Sequence, residues 1–207
     1  MFIRTESFKT FIRLYPVTAL ILLIDLAVYF FLFACTYFNI DPSLALICVR
    51  LFARTSAMLD NGWWWQLITP IFLHTDFVHV LFNTFTLFIF APALESMLGK
   101  VRFSIAFLGT GLISNALSIL IEPTIQSYGA STSLYGLFGL YLFLIVFRSS
   151  FINRQDRLIV LVFLGFNLIL SFVDSSVDHI GHLTGLMAGL ALAPMLCSGR
   201  IRTVDHK

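Results

Sequence analysis

The stretch Gly129-Ala130-Ser131-Thr132-Ser133-Leu134-Tyr135-Gly136-Leu137-Phe138-Gly139 decides how this chain is read. It leaves a polar loop and runs into an apolar segment that continues to Phe147. Ser131 therefore stands where a water-facing turn becomes a membrane helix. A serine in that position is, on its own, an ordinary helix N-cap. An α/β-hydrolase elbow would need glycine two residues after the serine, and position 133 is serine. The rest of the chain must supply partners for Ser131, or it remains a cap.

Composition sets the class. Of 207 residues, 58% are hydrophobic and 12% charged, against about 25% charged in a soluble domain. So few charges cannot coat a water-facing surface of this size. The chain is read as an integral membrane protein with nearly all its length in spans. Its 23 phenylalanines suit lipid-facing and interfacial positions. No remaining segment is long enough for a soluble domain, and there are no repeats or low-complexity tracts. The lipid bilayer is the expected surrounding; nothing points to nucleic acid. Cys35, Cys48 and Cys197 lack pair spacing and read as apolar fillers. Leu32-Phe33-Ala34-Cys35 fits a lipoprotein cleavage box poorly, because of Phe33, and the apolar run before it is long enough to span.

The hydropathy pattern predicts an all-α, polytopic bundle of six transmembrane helices. A segment over 1–15 precedes a membrane domain over 16–197, and a basic tail covers 198–207. The spans fall at about 16–38, 68–94, 103–121, 131–147, 158–173 and 179–197. Between the first two, the apolar patch Leu44–Val49 is too short to cross and is expected to lie in the interface. Trp63-Trp64-Trp65 marks a membrane edge. Asp174–Asp178 forms a short acidic turn before the last span.

Charge orients the bundle. With six spans, eleven Lys and Arg residues share the side of both termini, and only Arg50 and Arg54 face the other. Both termini are therefore expected in the cytoplasm. Spans two, four and six then run from outside to inside. Asn83 precedes Lys100 by 17 residues, Ser131 precedes Arg148 by 17, and His182 precedes Arg200 by 18. At about 1.5 Å per residue, all three lie at one depth, roughly 26 Å above the inner charges. That is just below the outer surface of a hydrocarbon core about 30 Å thick.

Helical periodicity puts Ser131, Tyr135 and Gly139 on one face, and His182, Gly185 and Gly189 on another. Small residues let two membrane helices approach closely. A serine and a histidine on separate helices need that closeness to share a proton. His79 and Asn83 share a face of the second span. Together these residues suggest a nucleophile, Ser131, activated by a base, His182. His79, Asn83 and the Ser131 N–H are candidate donors for an oxyanion. No carboxylate occupies a matching position, so a dyad is expected. The bland alternatives are a cap for Ser131, a packing histidine for His182 and interhelical hydrogen bonds for His79 and Asn83. A metal site from His74, His79, His179 and His182 lacks a completing carboxylate or cysteine. No cofactor is expected.

At this point the chain resembles the rhomboid family of intramembrane serine proteases, over about residues 63 to 195. His74-x4-His79-x3-Asn83, followed by Glu95 and Gly99, is similar to that family's second-span motif. Gly129-x-Ser131 with Tyr135 and Gly139 resembles its nucleophile motif. His182-x2-Gly185-x3-Gly189 resembles its sixth-span motif. The resemblance implies the six-span bacterial form, in the bacterial plasma membrane. It also implies Ser131 as nucleophile, His182 as base, His79 and Asn83 at the oxyanion, and Tyr135 beside the histidine ring. Transmembrane protein substrates would be cut in or near a span, with a small side chain before the cut and helix-breaking residues nearby.

Three departures stand out. Thr132 replaces the usual glycine after the serine and is expected to narrow the oxyanion region. Gln66 follows Trp65 where the family often has arginine, which predicts a more loosely held first loop. His179 stands where asparagine is common. The remaining polar residues read structurally. His74 supports the fold, Glu95 braces the inner turn, and Asn115 and Ser118 bond to neighbouring helices. Asp25, inside the first span, is expected to be protonated or hydrogen-bonded into the bundle, with a modulatory role as the alternative. Two further readings are a relative without activity that binds membrane clients, and a transporter. Against the latter stands the absence of inverted repeats and paired broken helices.

Overall fold

The computed structural model describes residues 1–2, 5–173 and 177–198. Among these the chain folds into nine α-helices: α1 (Phe8–Leu14), α2 (Pro16–Tyr37), α3 (Pro42–Phe52), α4 (Ala57–Asn61), α5 (Phe77–Leu98), α6 (Lys100–Ile121), α7 (Ser131–Phe147), α8 (Arg154–Val173) and α9 (His179–Leu196). Five of them, α2, α5, α6, α8 and α9, have the length and apolar composition to cross a membrane. The sixth, α7, has 17 residues, or roughly 26 Å. The fold is an all-α helical membrane bundle.

Three helices make the centre. α7 packs most extensively against α9, and α6 packs against both. Missing side chains explain the fit. A Cβ on Gly189 would overlap the Gly136 carbonyl, and one on Gly185 the Thr132 carbonyl. One on Gly139 would overlap the Leu186 carbonyl. Phe103, Phe107, Leu137, Leu140 and Tyr141 are fully enclosed around this centre. α2 leans on α5, whereas α8 touches α7 and α9 only sparingly.

The second span differs from its predicted bounds. Residues Trp64–Leu67 and Thr69–Phe72 wind into two 3₁₀ turns, and α5 starts only at Phe77. The reason is local: Asp76 is extended, and its Oδ1 accepts the His79 N–H at 2.9 Å, capping the helix there. At its other end α5 continues to Leu98. Gly99, with φ +79°, then turns the chain directly into α6. α8 starts at Arg154, a turn before its predicted position, because Asn153 Oδ1 accepts the Asp156 N–H at 2.8 Å.

The leading segment also joins the bundle. Ser7 caps α1, and Phe11 is buried against Phe88 with ring centroids 5.2 Å apart. α2 opens with Pro16 at its first turn. Its free N–H groups are capped from another helix. Glu95 accepts from the Val17 N–H at 2.9 Å, and from the Thr18 N–H and hydroxyl at 2.8 and 2.7 Å. α3 buries Ala45 against Leu32, Cys35 and Leu73 and exposes Leu46 and Ile47. Asp25 is fully buried in α2, and neither carboxyl oxygen has a hydrogen-bond partner. The hydrogen-bonded alternative for that residue is not the one adopted. Arg4, Asp174 of the acidic turn, and the tail from residue 199, including Arg200, lie outside the described residues.

Candidate active site

One cavity of about 560 Å³ opens among α5, α7, α8, α9 and the loop before α7. His79 and Asn83 line it from α5, Ser131 and Tyr135 from α7, and His182 from α9. The residues that the sequence placed at one depth thus meet in one chamber. α8 adds Asn167, Leu170 and Ser171, and the loop adds Ser127 and Tyr128.

Ser131 is the first residue of α7 and is half-buried. The turn before it is clamped from two sides. Pro70 O accepts the Gly129 N–H at 2.8 Å, and His74 Nε2 accepts the Ala130 N–H at 3.3 Å. His74 is fully buried. Burial, and then the neighbouring His79 ring, push it down to about 3, so the imidazole is neutral and can accept. Gly129 needs its glycine for two reasons: φ is +116°, and a Cβ would lie 2.6 Å from the His79 ring. His79 is thereby pressed against the nucleophile loop. Asn83 Nδ2 donates back to His79 O at 3.1 Å.

The neighbouring serine behaves differently. Ser133 is fully enclosed at Gly111 of α6 and does not face the cavity. Thr132 is buried too and does not line the cavity. Its side chain therefore takes no volume from the site, contrary to the expected narrowing.

His182 is held on two sides. The Tyr135 ring stacks on it, with centroids 4.2 Å apart and planes 15° off parallel. Ser171 Oγ lies 2.7 Å from His182 Nδ1. His179, one turn earlier, packs instead on Phe172 at 5.8 Å and stays outside the cavity lining.

The loops above the cavity are tied together by polar bonds. Gln66 is fully buried; its amide donates to Arg50 O and Leu51 O at 3.1 and 3.0 Å. Its oxygen accepts from the Thr55 N–H and hydroxyl at 3.2 and 3.1 Å. The first loop is therefore firmly held, and the expectation of a looser loop is corrected: an amide satisfies carbonyls and a donor together, which a guanidinium cannot. Arg54 pairs its backbone with Ser127, and its guanidinium reaches Asp178 Oδ2 at 2.6 Å. Asp178 in turn caps α9, accepting the Gly181 N–H at 2.7 Å and the Ser118 hydroxyl at 3.2 Å. Burial pushes the Asp178 carboxyl up. The Arg54 charge and these hydrogen bonds outweigh it and hold the group below the usual carboxylate range. Asn115 donates to Leu67 O at 3.0 Å, a 3₁₀ turn instead of a helix.

Arg54, Asp178 and Ser171 were not singled out by sequence reasoning. Arg54 carried one signal, as one of two arginines on the sparsely charged side. Ser171 carried none, being an unremarked serine near the end of an apolar run.

Likeness to known proteins places this chain in a class. The rhomboid domain model matches residues 61–199. The Bacillus subtilis (strain 168) rhomboid-family protein YdcA is 40% identical over 95% of this chain and 96% of its own length. Rhomboid protease GluP of the same organism is 32% identical over 70% of this chain, which corresponds to 28% of GluP. Rhomboid-like protease 1 of Toxoplasma gondii is 28% identical over 72% of this chain and 52% of its own length. The chain belongs to the rhomboid family of intramembrane serine proteases.

Proposed function

We propose that this protein hydrolyses peptide bonds in or near transmembrane segments of other membrane proteins, using Ser131 and His182 as a dyad. The observation that carries the reading is the meeting of both side chains in one chamber, across helices whose backbones touch. Ser131 Oγ attacks the scissile carbonyl carbon, and its proton passes to His182 Nε2. The carbonyl oxygen becomes an oxyanion, stabilised by His79, Asn83 and the Ser131 N–H. The N-terminal end of α7 adds a favourable partial charge. The tetrahedral intermediate collapses, and the amine leaves with the proton from His182. Water then attacks the acyl-serine, giving up a proton to His182; the second tetrahedral intermediate collapses, His182 returns that proton to Ser131 Oγ as it leaves, and the carboxylic acid is released. The substrate helix must unwind locally, because a helical carbonyl is bonded and shielded. Tyr135, Gly129, Gly185 and Gly189 support this arrangement by packing, and His74 by holding Ala130. The charge bias supports cytoplasmic termini and a cavity that opens to the outside. The Bacillus relatives make a bacterial plasma membrane the fitting location.

Labelling by a fluorophosphonate in detergent or liposomes tests the reading, alongside cleavage of a model transmembrane peptide. The wild type should label and cleave; Ser131→Ala should do neither, and His182→Ala should lose at least a thousandfold in rate, on the order of a missing triad member. Labelling that survives Ser131→Ala would sink the assignment of the nucleophile.

A further inference from the structure

We infer that Ser171 is a positioning residue for His182, holding its ring so that Nε2 is the nitrogen presented to Ser131. The inference rests on the proposed dyad and deepens it.

A histidine can act as a base only through a ring nitrogen that carries no proton, and the hydrogen bond made by the other nitrogen decides which one that is. Stacking does not decide it. The Tyr135 ring lies flat against His182, which fixes the plane of the imidazole. A half-turn about χ2 keeps that plane and exchanges Nδ1 for a carbon. Something at the ring edge has to break the degeneracy. In this chain it is Ser171 Oγ, 2.7 Å from Nδ1 and itself only 3% exposed. With the hydroxyl oxygen as acceptor of the Nδ1 proton, Nε2 is left free as the base. When Nε2 takes the proton from Ser131, the imidazolium keeps its Nδ1–H bond to the same oxygen, now charge-assisted and stronger. Ser171 thus does part of what the buried carboxylate does in a triad, without a charge in the membrane.

Its placement is specific. Ser171 stands near the end of α8, a helix with few other contacts to α7 and α9. It is the α8 side chain that bonds His182 among the described residues. Among the described residues, the other titratable groups around His182 are its own cap Asp178, His79 from α5, His179 from α9 and the stacked Tyr135 from α7. Neither α7 nor α8 brings a charge to it. Removing the Ser171 hydroxyl takes away its bond to His182 and its bond to the Tyr135 hydroxyl, and removes no charged group.

The test uses Ser171→Ala and Ser171→Thr in the full chain, in detergent, with a fluorogenic transmembrane peptide and a fluorophosphonate. Ser171→Ala should lower kcat about ten- to a hundredfold, the worth of a hydrogen bond to a charged group, with KM unchanged. The acid limb of kcat/KM should move to lower pH, since the imidazolium loses its acceptor. Ser171→Thr keeps the hydroxyl and should restore both. The inference is overturned if Ser171→Ala keeps wild-type kcat and the same limb. It is equally overturned if activity falls only in step with Tm while the limb stays in place, which is the signature of packing alone. Should the wild type itself neither label nor cleave, the dyad fails and this inference with it; a reactive wild type with an indifferent Ser171→Ala fails the inference alone.

Discussion

Two walls of contacts around the cavity are built on opposite principles. On one side, α7 meets α9 by leaving side chains out: Gly139, Gly185 and Gly189 bring backbone against backbone. On the other side, the first loop, the cap of α9 and α8 are held by a few polar bonds: Gln66 to Arg50, Leu51 and Thr55, Arg54 to Asp178, Ser171 to His182. Lipid supplies no hydrophobic drive between helices, so a seam must rely on shape. Loops at the membrane edge cannot pack as helices do, so they rely on satisfied polar groups. The first wall should tolerate no added volume. The second should tolerate no lost partner.

The largest effect should come from the polar wall. Arg54→Leu leaves Asp178 buried without its counter-charge, at a cost of about 3–5 kcal/mol. Thermal unfolding in micelles should show a large fall in Tm, with loss of fluorophosphonate labelling; a near-native Tm would mean that the pair is dispensable. The same pair sets an acid limit. A carboxyl held below its ordinary value stabilises the fold fully above its unfolded value, about 3.9, and loses that contribution as pH falls through the folded value. Wild-type Tm should therefore fall on acidification only below about pH 4. In Arg54→Leu, burial dominates and the Asp178 carboxyl rises above its unfolded value, so the sign reverses: the variant should gain stability as pH falls through that raised value and lose it as pH rises.

The seam comes next. Gly189→Ala forces a methyl into the Gly136 carbonyl, which is backbone and cannot rotate away. Overpacking of this kind costs about 1–3 kcal/mol, and by parting α7 from α9 it should slow labelling more than it lowers Tm. Unchanged labelling would show that the approach of the two helices is not what places Ser131 and His182. The smallest effect is a control on α8. A methyl at Gly165 meets nothing within 4 Å, so Gly165→Ala should leave labelling unchanged and raise stability by at most about 1 kcal/mol. A loss there would break the contrast between the crowded seam and the open helix.

Much of this was legible in the chain. Hydropathy marked the bundle. Helical periodicity and residue counting gathered Asn83, Ser131 and His182 at one depth, and the three do share a cavity. The glycine spacing foretold the seam, because a membrane helix has little other reason to keep small residues on one face. The departures at positions 66 and 132 misled in a common way. Each was judged against a family pattern, whereas its effect depends on neighbours. Gln66 makes four hydrogen bonds to three loop residues, and Thr132 is not among the residues that line the cavity. The predicted start of the second span failed because hydropathy does not distinguish an apolar 3₁₀ segment from a helix; the cap at Asp76 decides it.

What the sequence determined by itself is whatever depends on a residue and its near neighbours along one helix: the spans, the charge bias, the shared faces and the small-residue stripes. These follow from periodicity and from the solvent each face must meet. What only the tertiary structure decided is who meets whom across the chain. Glu95 caps α2, Arg54 reaches Asp178 across 124 residues, and a serine on α8 bonds the Nδ1 of His182. Such pairs leave no periodic trace, because a buried polar group can be satisfied from any element that packs beside it. Ser131 began as a serine beyond a loop; the seam and the polar wall together give it its surroundings.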